Sequence, residues 1–173
     1  IDLAKNFMLL NCEIVALCER DGERAAKGLE KLEINVPVFE SFDHFIKQDM
    51  DAVIIANFFH EHTPYVIKCF EKGIHVLCEC IPNSTLAEGV ELIRAYEKSS
   101  SIFMLAENYP QMSFNREMKR ICDGGTLGKL IYAEGEYNHP PCPDDYEFNK
   151  GYVYFEDHWR NYLPRSYYIT HSL

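Results

Sequence analysis

The chain has 173 residues, 47% of them hydrophobic and 25% charged, a composition that excludes an intrinsically disordered protein. Its formal net charge of −10, without any cluster of Lys and Arg, argues against nucleic acid as a partner. No apolar run reaches the ~20 residues that a membrane span needs, and no signal peptide opens the sequence, so we expect a cytoplasmic protein with no membrane partner.

Predicted strands and helices alternate along the first part of the chain. Residues 1–7 read as the end of a helix, and the apolar run EIVALC at 13–18 predicts a strand, which is followed by a helix at 23–32. A short extended piece at 37–39 and a brief helix that ends at Ile46 come next. This order is typical of β/α units.

Two buried parallel strands are predicted at 51–56 and 74–78, because both are short apolar runs rich in β-branched residues. The helix between them ends at Gly73, a residue type that favours the left-handed position after a helix. Ligands of open α/β sheets bind beyond the carboxyl ends of the strands. We therefore expect the turns after these two strands, at 57–62 and 79–83, to line one crevice.

A further helix, strand and helix complete the alternation. Ser84 or Thr85 caps a helix that runs to about Ser99, and a strand at 102–106 and a helix at 113–122 follow. One apolar face of the capped helix is predicted from helical spacing and consists of Leu86, Val90, Ile93 and Tyr96. The alternation from residue 13 to residue 122 predicts an α/β fold with a doubly wound parallel sheet.

The pattern changes at Gly128. Residues 129–137 (KLIYAEGEY) alternate with period two, which predicts a strand of an antiparallel or mixed sheet. Residues 140–165 are rich in Pro, Tyr and Asp and read as a substrate loop. We therefore expect a first domain at 1–125 and the beginning of an α+β sheet domain at 126–173.

Two charged residues follow the first predicted strand. Glu19 occupies the position at which a carboxylate accepts hydrogen bonds from the ribose hydroxyls of a dinucleotide, although a solvated loop acid is the alternative. Arg20 could stack on adenine or meet a 2′-phosphate.

His60, His62, Cys78 and Cys80 have the spacing of two chelating pairs, and Zn²⁺ accepts both ligand types. However, Cys78 ends a predicted buried strand, where a free cysteine usually packs as a small hydrophobe. No neighbouring cation would lower the pKa of Cys80, so we assign neither a metal site nor a cysteine nucleophile. The seven cysteines favour reduced thiols over a disulfide framework.

Tyr and His residues form two groups near the end of the chain, Tyr137 with His139 and Tyr168 with His171. This pair of residue types commonly transfers protons on polyhydroxylated substrates. Packed aromatic or hydrogen-bonded surface groups are the alternative for each of them singly.

Several motifs resemble the glucose-fructose oxidoreductase / inositol dehydrogenase (Gfo/Idh/MocA) superfamily, over essentially the whole chain. They are Glu19-Arg20-Asp21 after a strand, Asp51–Asn57 with His62 five residues later, Gly73–Glu79, Phe114–Lys119 and Gly125–Leu130. The resemblance implies a Rossmann domain that binds NAD(P) and a C-terminal domain whose open sheet holds sugars or cyclitols and often forms homo-oligomers. It implies an enzyme that transfers a hydride from or to a sugar-like hydroxyl.

The resemblance also implies site residues. The cofactor-binding residues would be Glu19, Arg20, Asn57, Phe58, His62, Glu79 and Asn108. The nicotinamide would lie over Asn57, Phe58 and Glu79, and Tyr137, His139, Tyr168 and His171 would be catalytic. We expect NAD rather than NADP, because the charge of Glu19 would repel a 2′-phosphate.

The chain departs from the family pattern in two ways. The first strand and the Gly-rich phosphate loop are absent, so we expect a fragment truncated at both ends that binds dinucleotide poorly and is inactive by itself. The Glu-Lys-Pro signature reads Glu79-Cys80-Ile81, without the lysine that positions a substrate hydroxyl in the dehydrogenases.

One branch of the superfamily, the NAD-dependent α-N-acetylgalactosaminidases, also lacks that lysine. Its motifs are similar to Glu107-Asn108, to Tyr137-Asn138-His139 and to Tyr168-Ile169-Thr170-His171. The resemblance to the superfamily as a whole gives the main interpretation, an oxidoreductase that acts on sugar or cyclitol hydroxyls. The alternatives are a glycosidase that recycles its hydride and a non-catalytic binder of sugars or nucleotides.

Overall fold

The computed structural model describes residues 1–136. The chain forms two compact units, Ile1–Leu105 and Ala106–Leu173, which we call unit 1 and unit 2. The predicted domain boundary at residue 125 stays a prediction. Within residues 1–136, every helix is too short or too polar to cross a membrane.

Unit 1 alternates strands and helices in the predicted order. Its elements are α1 (Asp2–Leu9), β1 (Leu17–Cys18), α2 (Gly22–Leu32), β2 (Val38–Phe39), α3 (Phe42–Phe45), β3 (Ala52–Ile55), α4 (His62–Glu71), β4 (His75–Cys78), α5 (Leu86–Tyr96) and β5 (Phe103–Leu105). The predicted strand at 13–18 is shorter than expected, since only its last two residues pair with a neighbour.

All strand pairs of unit 1 are parallel. Strands β1 and β2 form one sheet, and β3, β4 and β5 form another in that order. Register is set by the pairs Ala52–His75 and Ile55–Cys78 between β3 and β4. Parallel strands joined by helices confirm the predicted α/β fold and bring the carboxyl ends of β3 and β4 side by side.

The core of unit 1 lies where α4 packs on the three-stranded sheet and on α5. Val66 and Cys69 of α4 are fully buried, and Phe70 beside them is 4% exposed. They meet Val53 and Val76 of the sheet in the same cluster of buried side chains. Val53 and Ile55 of β3 and Val76 and Cys78 of β4 are buried, which is why both segments are rich in apolar residues.

Gly73 ends α4 as predicted. Its φ of 72° lies in the left-handed region, its N–H donates to Phe70 O (3.0 Å), and the N–H of Ile74 donates to Cys69 O (3.0 Å). This is the hydrogen-bond pattern of a Schellman C-cap, and it turns the chain directly into β4.

Thr85 caps α5, which settles the choice between Ser84 and Thr85. Thr85 Oγ1 accepts a hydrogen bond from Glu88 N (3.2 Å), and Glu88 Oε2 accepts from Thr85 N (2.8 Å) and Ser84 N (2.7 Å). Two side chains thus satisfy three backbone donors at the start of the helix.

Replacing Thr85 with alanine is expected to lower the free energy of unfolding by about 1 kcal/mol, because Glu88 N loses its acceptor. Urea denaturation followed by circular dichroism measures this change. Thr85→Ser keeps the hydroxyl and should remain close to the unsubstituted chain. An equal loss in both variants would contradict a capping role.

The apolar face predicted for α5 is not the side of the helix that packs on the core. Leu86, Val90 and Ile93 are 86%, 47% and 58% exposed, and Tyr96 is 44% exposed although its ring contacts Phe70. The helix instead buries Leu92 against the core. Helical spacing identified an apolar stripe correctly, but the path of the chain over α4 determines which side of α5 is covered.

The described part of unit 2 contains a 3₁₀ turn at Tyr109–Gln111 and helix α6 at Ser113–Asp123. The strand predicted from residue 129 is wrong for 129–136, which have no regular secondary structure. Ile131 is 89% exposed, and within residues 1–136 no strand pairs with this segment. An alternating pattern becomes a strand only where a neighbour supplies its hydrogen bonds.

Candidate functional site

The turns that follow β3 and β4 lie together, as the sequence predicted. Glu79 N donates to Ile55 O (2.8 Å) where the two strands end, and Thr63 Oγ1 donates to Pro82 O (2.8 Å). The carboxyl edge of the larger sheet therefore carries one continuous surface made from both turns.

His62 connects these two turns through contacts of its ring nitrogens with one backbone carbonyl in each. Its side chain is fully buried, with Nδ1 2.8 Å from Ile81 O and Nε2 3.2 Å from Asn57 O. Burial lowers the pKa of His62 below its usual 6.5, although the carbonyls of Ile81 and Asn57 and the charge of Glu79 act in the opposite direction. His62 thus connects the two turns from a buried position inside the protein.

Cys78 packs as a buried hydrophobe. Its Sγ lies 3.4 Å from His62 Nδ1 and donates to Glu79 O (3.2 Å), and burial raises the pKa of the thiol to about 12. Both ring nitrogens of His62 face backbone carbonyls. Among residues 1–136, no group of three or more His, Cys, Asp or Glu side chains is placed to hold a metal ion.

Glu19 follows β1 at the carboxyl edge of the smaller sheet. Its backbone N–H donates to Phe39 O (3.0 Å), which fixes the residue at the end of the strand pair. Its half-buried carboxylate accepts from Asp21 N (3.0 Å) and lies 3.8 Å from Arg24 Nη1. A carboxylate has about four lone-pair positions, so it can accept further hydrogen bonds.

Arg20 connects the turn after β1 with the turn after β3. Its Nη2 donates to Glu61 Oε2 (2.6 Å), and Asn57 Nδ2 donates to the same oxygen (3.2 Å). The sequence analysis missed Glu61, which gave no signal beyond its place in a predicted turn. Its partner is 41 residues away in the chain, and only the fold brings the two together.

Phe58 and Glu79 border the surface made by the two turns. Both are half-buried, and the ring of Phe58 is nearly parallel to that of His60, with centroids 6.0 Å apart. Glu79 Oε2 accepts a hydrogen bond from Cys80 N (3.1 Å), which fixes the orientation of this carboxylate within its own turn. An aromatic face and an oriented carboxylate suit a flat, polar ligand.

A sequence profile described as "Oxidoreductase family, NAD-binding Rossmann fold" (Gfo/Idh/MocA) matches residues 3–107. The chain belongs to this family. The match includes β1 to β5 and the turns described above, so the predicted Gfo/Idh/MocA family and the Rossmann fold are both confirmed.

Relatives of this Gfo/Idh/MocA chain include glycosyl hydrolases and dehydrogenases. Glycosyl hydrolase family 109 protein 1 of Phocaeicola vulgatus is 27% identical over 93% of this chain and 36% of its own length. Inositol 2-dehydrogenase of Pseudomonas savastanoi pv. phaseolicola is 25% identical over 80% of this chain and 42% of its own length. The chain therefore spans less than half of these relatives.

A solved structure has the same fold. Scyllo-inositol dehydrogenase from Lactobacillus casei, with bound NAD(H) and scyllo-inositol, superposes with a TM-score of 0.63 at 20% identity. The superposition covers 67% of this chain and 34% of the dehydrogenase.

The remaining predicted site residues of the Gfo/Idh/MocA chain lie in unit 2. Asn108 is exposed and precedes the 3₁₀ turn, where its carbonyl accepts from Gln111 N (3.0 Å). The predicted catalytic residues lie outside the described residues and are Tyr137, His139, Tyr168 and His171.

Proposed function

We propose that the intact protein, with whatever residues flank this chain, is an NAD-dependent oxidoreductase that acts on a sugar-like or cyclitol hydroxyl. The observation that carries the proposal is that the turns after β1, β3 and β4 are joined to one another, by the Arg20–Glu61 ion pair and by the hydrogen bonds of His62. The residues that follow these strands in turn are Glu19, Asn57 and Glu79. Relatives named as inositol 2-dehydrogenases support the substrate class.

The residues on these turns suit a nicotinamide dinucleotide. Glu19 would accept hydrogen bonds from the adenosine ribose, since its carboxylate retains acceptor capacity at the end of β1. Asn57, Phe58 and Glu79 would orient the nicotinamide. When bound, the cofactor supplies the hydride chemistry, and the protein supplies binding, orientation and proton transfer.

NAD is proposed in preference to NADP because three carboxylates surround the adenosine position. Arg20 pairs with Glu61. In the neighbouring turn Asp21 accepts from Arg24 N while Glu19 lies 3.8 Å from Arg24 Nη1, so these carboxylates form a group with two arginines. The net charge of that group is negative, and a 2′-phosphate would add like charge to it.

Proton transfer is proposed for the Tyr and His residues near the end of the chain. A neutral His can take a proton from a hydroxyl near pH 7, and a Tyr beside it can hydrogen-bond a sugar oxygen. The sequence supports these roles for Tyr137, His139, Tyr168 and His171, with Asn108 as a further polar contact to the cofactor.

A hydride-recycling glycosidase is the second candidate. It is favoured by the relative named as a family 109 glycosyl hydrolase, whose similarity covers 93% of this chain, and by Cys80 at the position of the missing lysine. Such an enzyme would transfer a hydride from a sugar carbon to NAD, remove the adjacent proton as the leaving group departs, add water across the resulting double bond, and return the hydride to the sugar.

Product analysis of the intact protein separates the two candidates. We expect NADH to accumulate when NAD and a panel of cyclitols and sugars are supplied, with NADP binding at least about tenfold more weakly, or about 1.4 kcal/mol. Release of an aglycone from a chromogenic N-acetylgalactosaminide without NADH would establish the glycosidase instead. NADP binding about tenfold more tightly than NAD would contradict the cofactor assignment.

A further inference from the structure

The turn after β3 contributes a residue to the adenosine end of the site that the motifs did not identify. Glu61 Oε2 accepts two hydrogen bonds, from Arg20 Nη2 at 2.6 Å and from Asn57 Nδ2 at 3.2 Å. The Glu61 side chain is 28% exposed and that of Arg20 is 62% exposed. The carboxylate is therefore the more buried partner, and it holds one nitrogen of the guanidinium.

Arg20 is the side chain that would recognise a 2′-phosphate. It stands directly after Glu19, and in dinucleotide-binding folds an Arg near the ribose carboxylate accommodates that phosphate. A guanidinium binds phosphate through charge-assisted, often paired, hydrogen bonds. In this chain one of its nitrogens is already engaged by a carboxylate.

We infer that Glu61 is a specificity-determining residue, which excludes NADP by holding Arg20 in an ion pair. The inference rests on the proposed function, because it requires the adenosine ribose to bind beside Glu19. Glu61 acts through Arg20 and touches no reacting atom, so it is a positioning residue. The ion pair is exposed and contributes little to stability. To bind Arg20, however, a 2′-phosphate would have to displace Glu61, and the negative charge of that carboxylate would repel it.

The test uses two nucleotides that differ only in the 2′-phosphate, namely 5′-AMP and adenosine 2′,5′-bisphosphate. Both are titrated into the intact protein, which includes the residues that flank this chain, and calorimetry gives each dissociation constant. Glu61→Gln retains the size of the side chain and an acceptor for Asn57 but removes the charge. We expect it to shift the affinity ratio toward the bisphosphate by about tenfold, with 5′-AMP affinity nearly unchanged.

Two further variants distinguish the release of Arg20 from a general change of charge. Glu91→Gln removes the same charge from an exposed position on α5, and its ratio should equal that of the unsubstituted chain. The double variant Arg20→Gln/Glu61→Gln should lose the gain of Glu61→Gln, since the released group is then missing.

A ratio that changes by less than about twofold in Glu61→Gln, or a gain that persists in the double variant, would overturn the inference while leaving the proposed function intact. Failure of the unsubstituted protein and of all its variants to bind either nucleotide would instead overturn the placement of adenosine beside Glu19. The inference would then fall with it, so the two failures are distinguishable.

Discussion

Replacing Phe70 with alanine is expected to lower the free energy of unfolding of unit 1 by about 3–5 kcal/mol. The ring is 4% exposed and contacts Tyr96 of α5 and Phe103 of β5, with centroids 5.6 Å and 5.8 Å apart. Phe70 thus joins α4 to both neighbours, and its removal leaves a cavity that none of the three elements can fill alone.

Urea denaturation and hydrogen exchange at the amides of Val53 and Ile55 report on this effect within unit 1. Phe70→Leu retains most of the volume and should lose less than half as much stability. Ile93→Ala removes an apolar side chain that is 58% exposed and should change stability by less than about 0.5 kcal/mol. Comparable losses for Phe70→Ala and Ile93→Ala would show that α5 is packed differently.

Replacing His62 with alanine is expected to cost about 2–4 kcal/mol, the second largest effect. The substitution empties a fully buried position and leaves Ile81 O without the hydrogen bond that it accepts at 2.8 Å. The turns after β3 and β4 would then separate, so amide exchange should increase at Asn57 and Ile81 more than in α5. Uniformly increased exchange throughout unit 1 would contradict a local connecting role.

The same residue should make stability depend on pH. Burial lowers the pKa of His62 in the folded chain below its ordinary value of 6.5, so the unfolded chain binds the proton first as pH falls. The contribution of His62 to the free energy of unfolding is complete above pH 6.5. As the pH falls from 6.5 to the folded pKa, this contribution is lost by at most about 1.4 kcal/mol per pH unit.

Denaturation between pH 5 and pH 8, roughly the range in which His titrates, measures this slope. His62→Gln removes the titrating group while keeping an N–H donor, and the slope contributed by His62 should disappear. His44→Gln removes an exposed His and should leave the slope unchanged. An unaltered slope in His62→Gln would show that another group is responsible.

The sequence by itself determined the features that depend on a few neighbouring residues. Apolar runs bounded by turns gave β3 and β4 within one residue of their ends, and Gly73 gave the end of α4. The start of α5 was predicted to within one residue, at Ser84 or Thr85, and the structure assigns the cap to Thr85. The motifs within residues 3–107 identified the family for the same reason, since each lies on or next to one strand and its following turn.

Only the tertiary structure decided which distant groups meet. The pairing of Arg20 with Glu61 and the contact of His62 with Ile81 depend on parallel strands that place successive turns at one edge. The buried side of α5 at Leu92, and the absence of a strand at 129–136 within the described residues, depend on what packs against each segment. A periodic pattern states that a segment has an apolar side, but the neighbour that covers it is specified by the path of the whole chain.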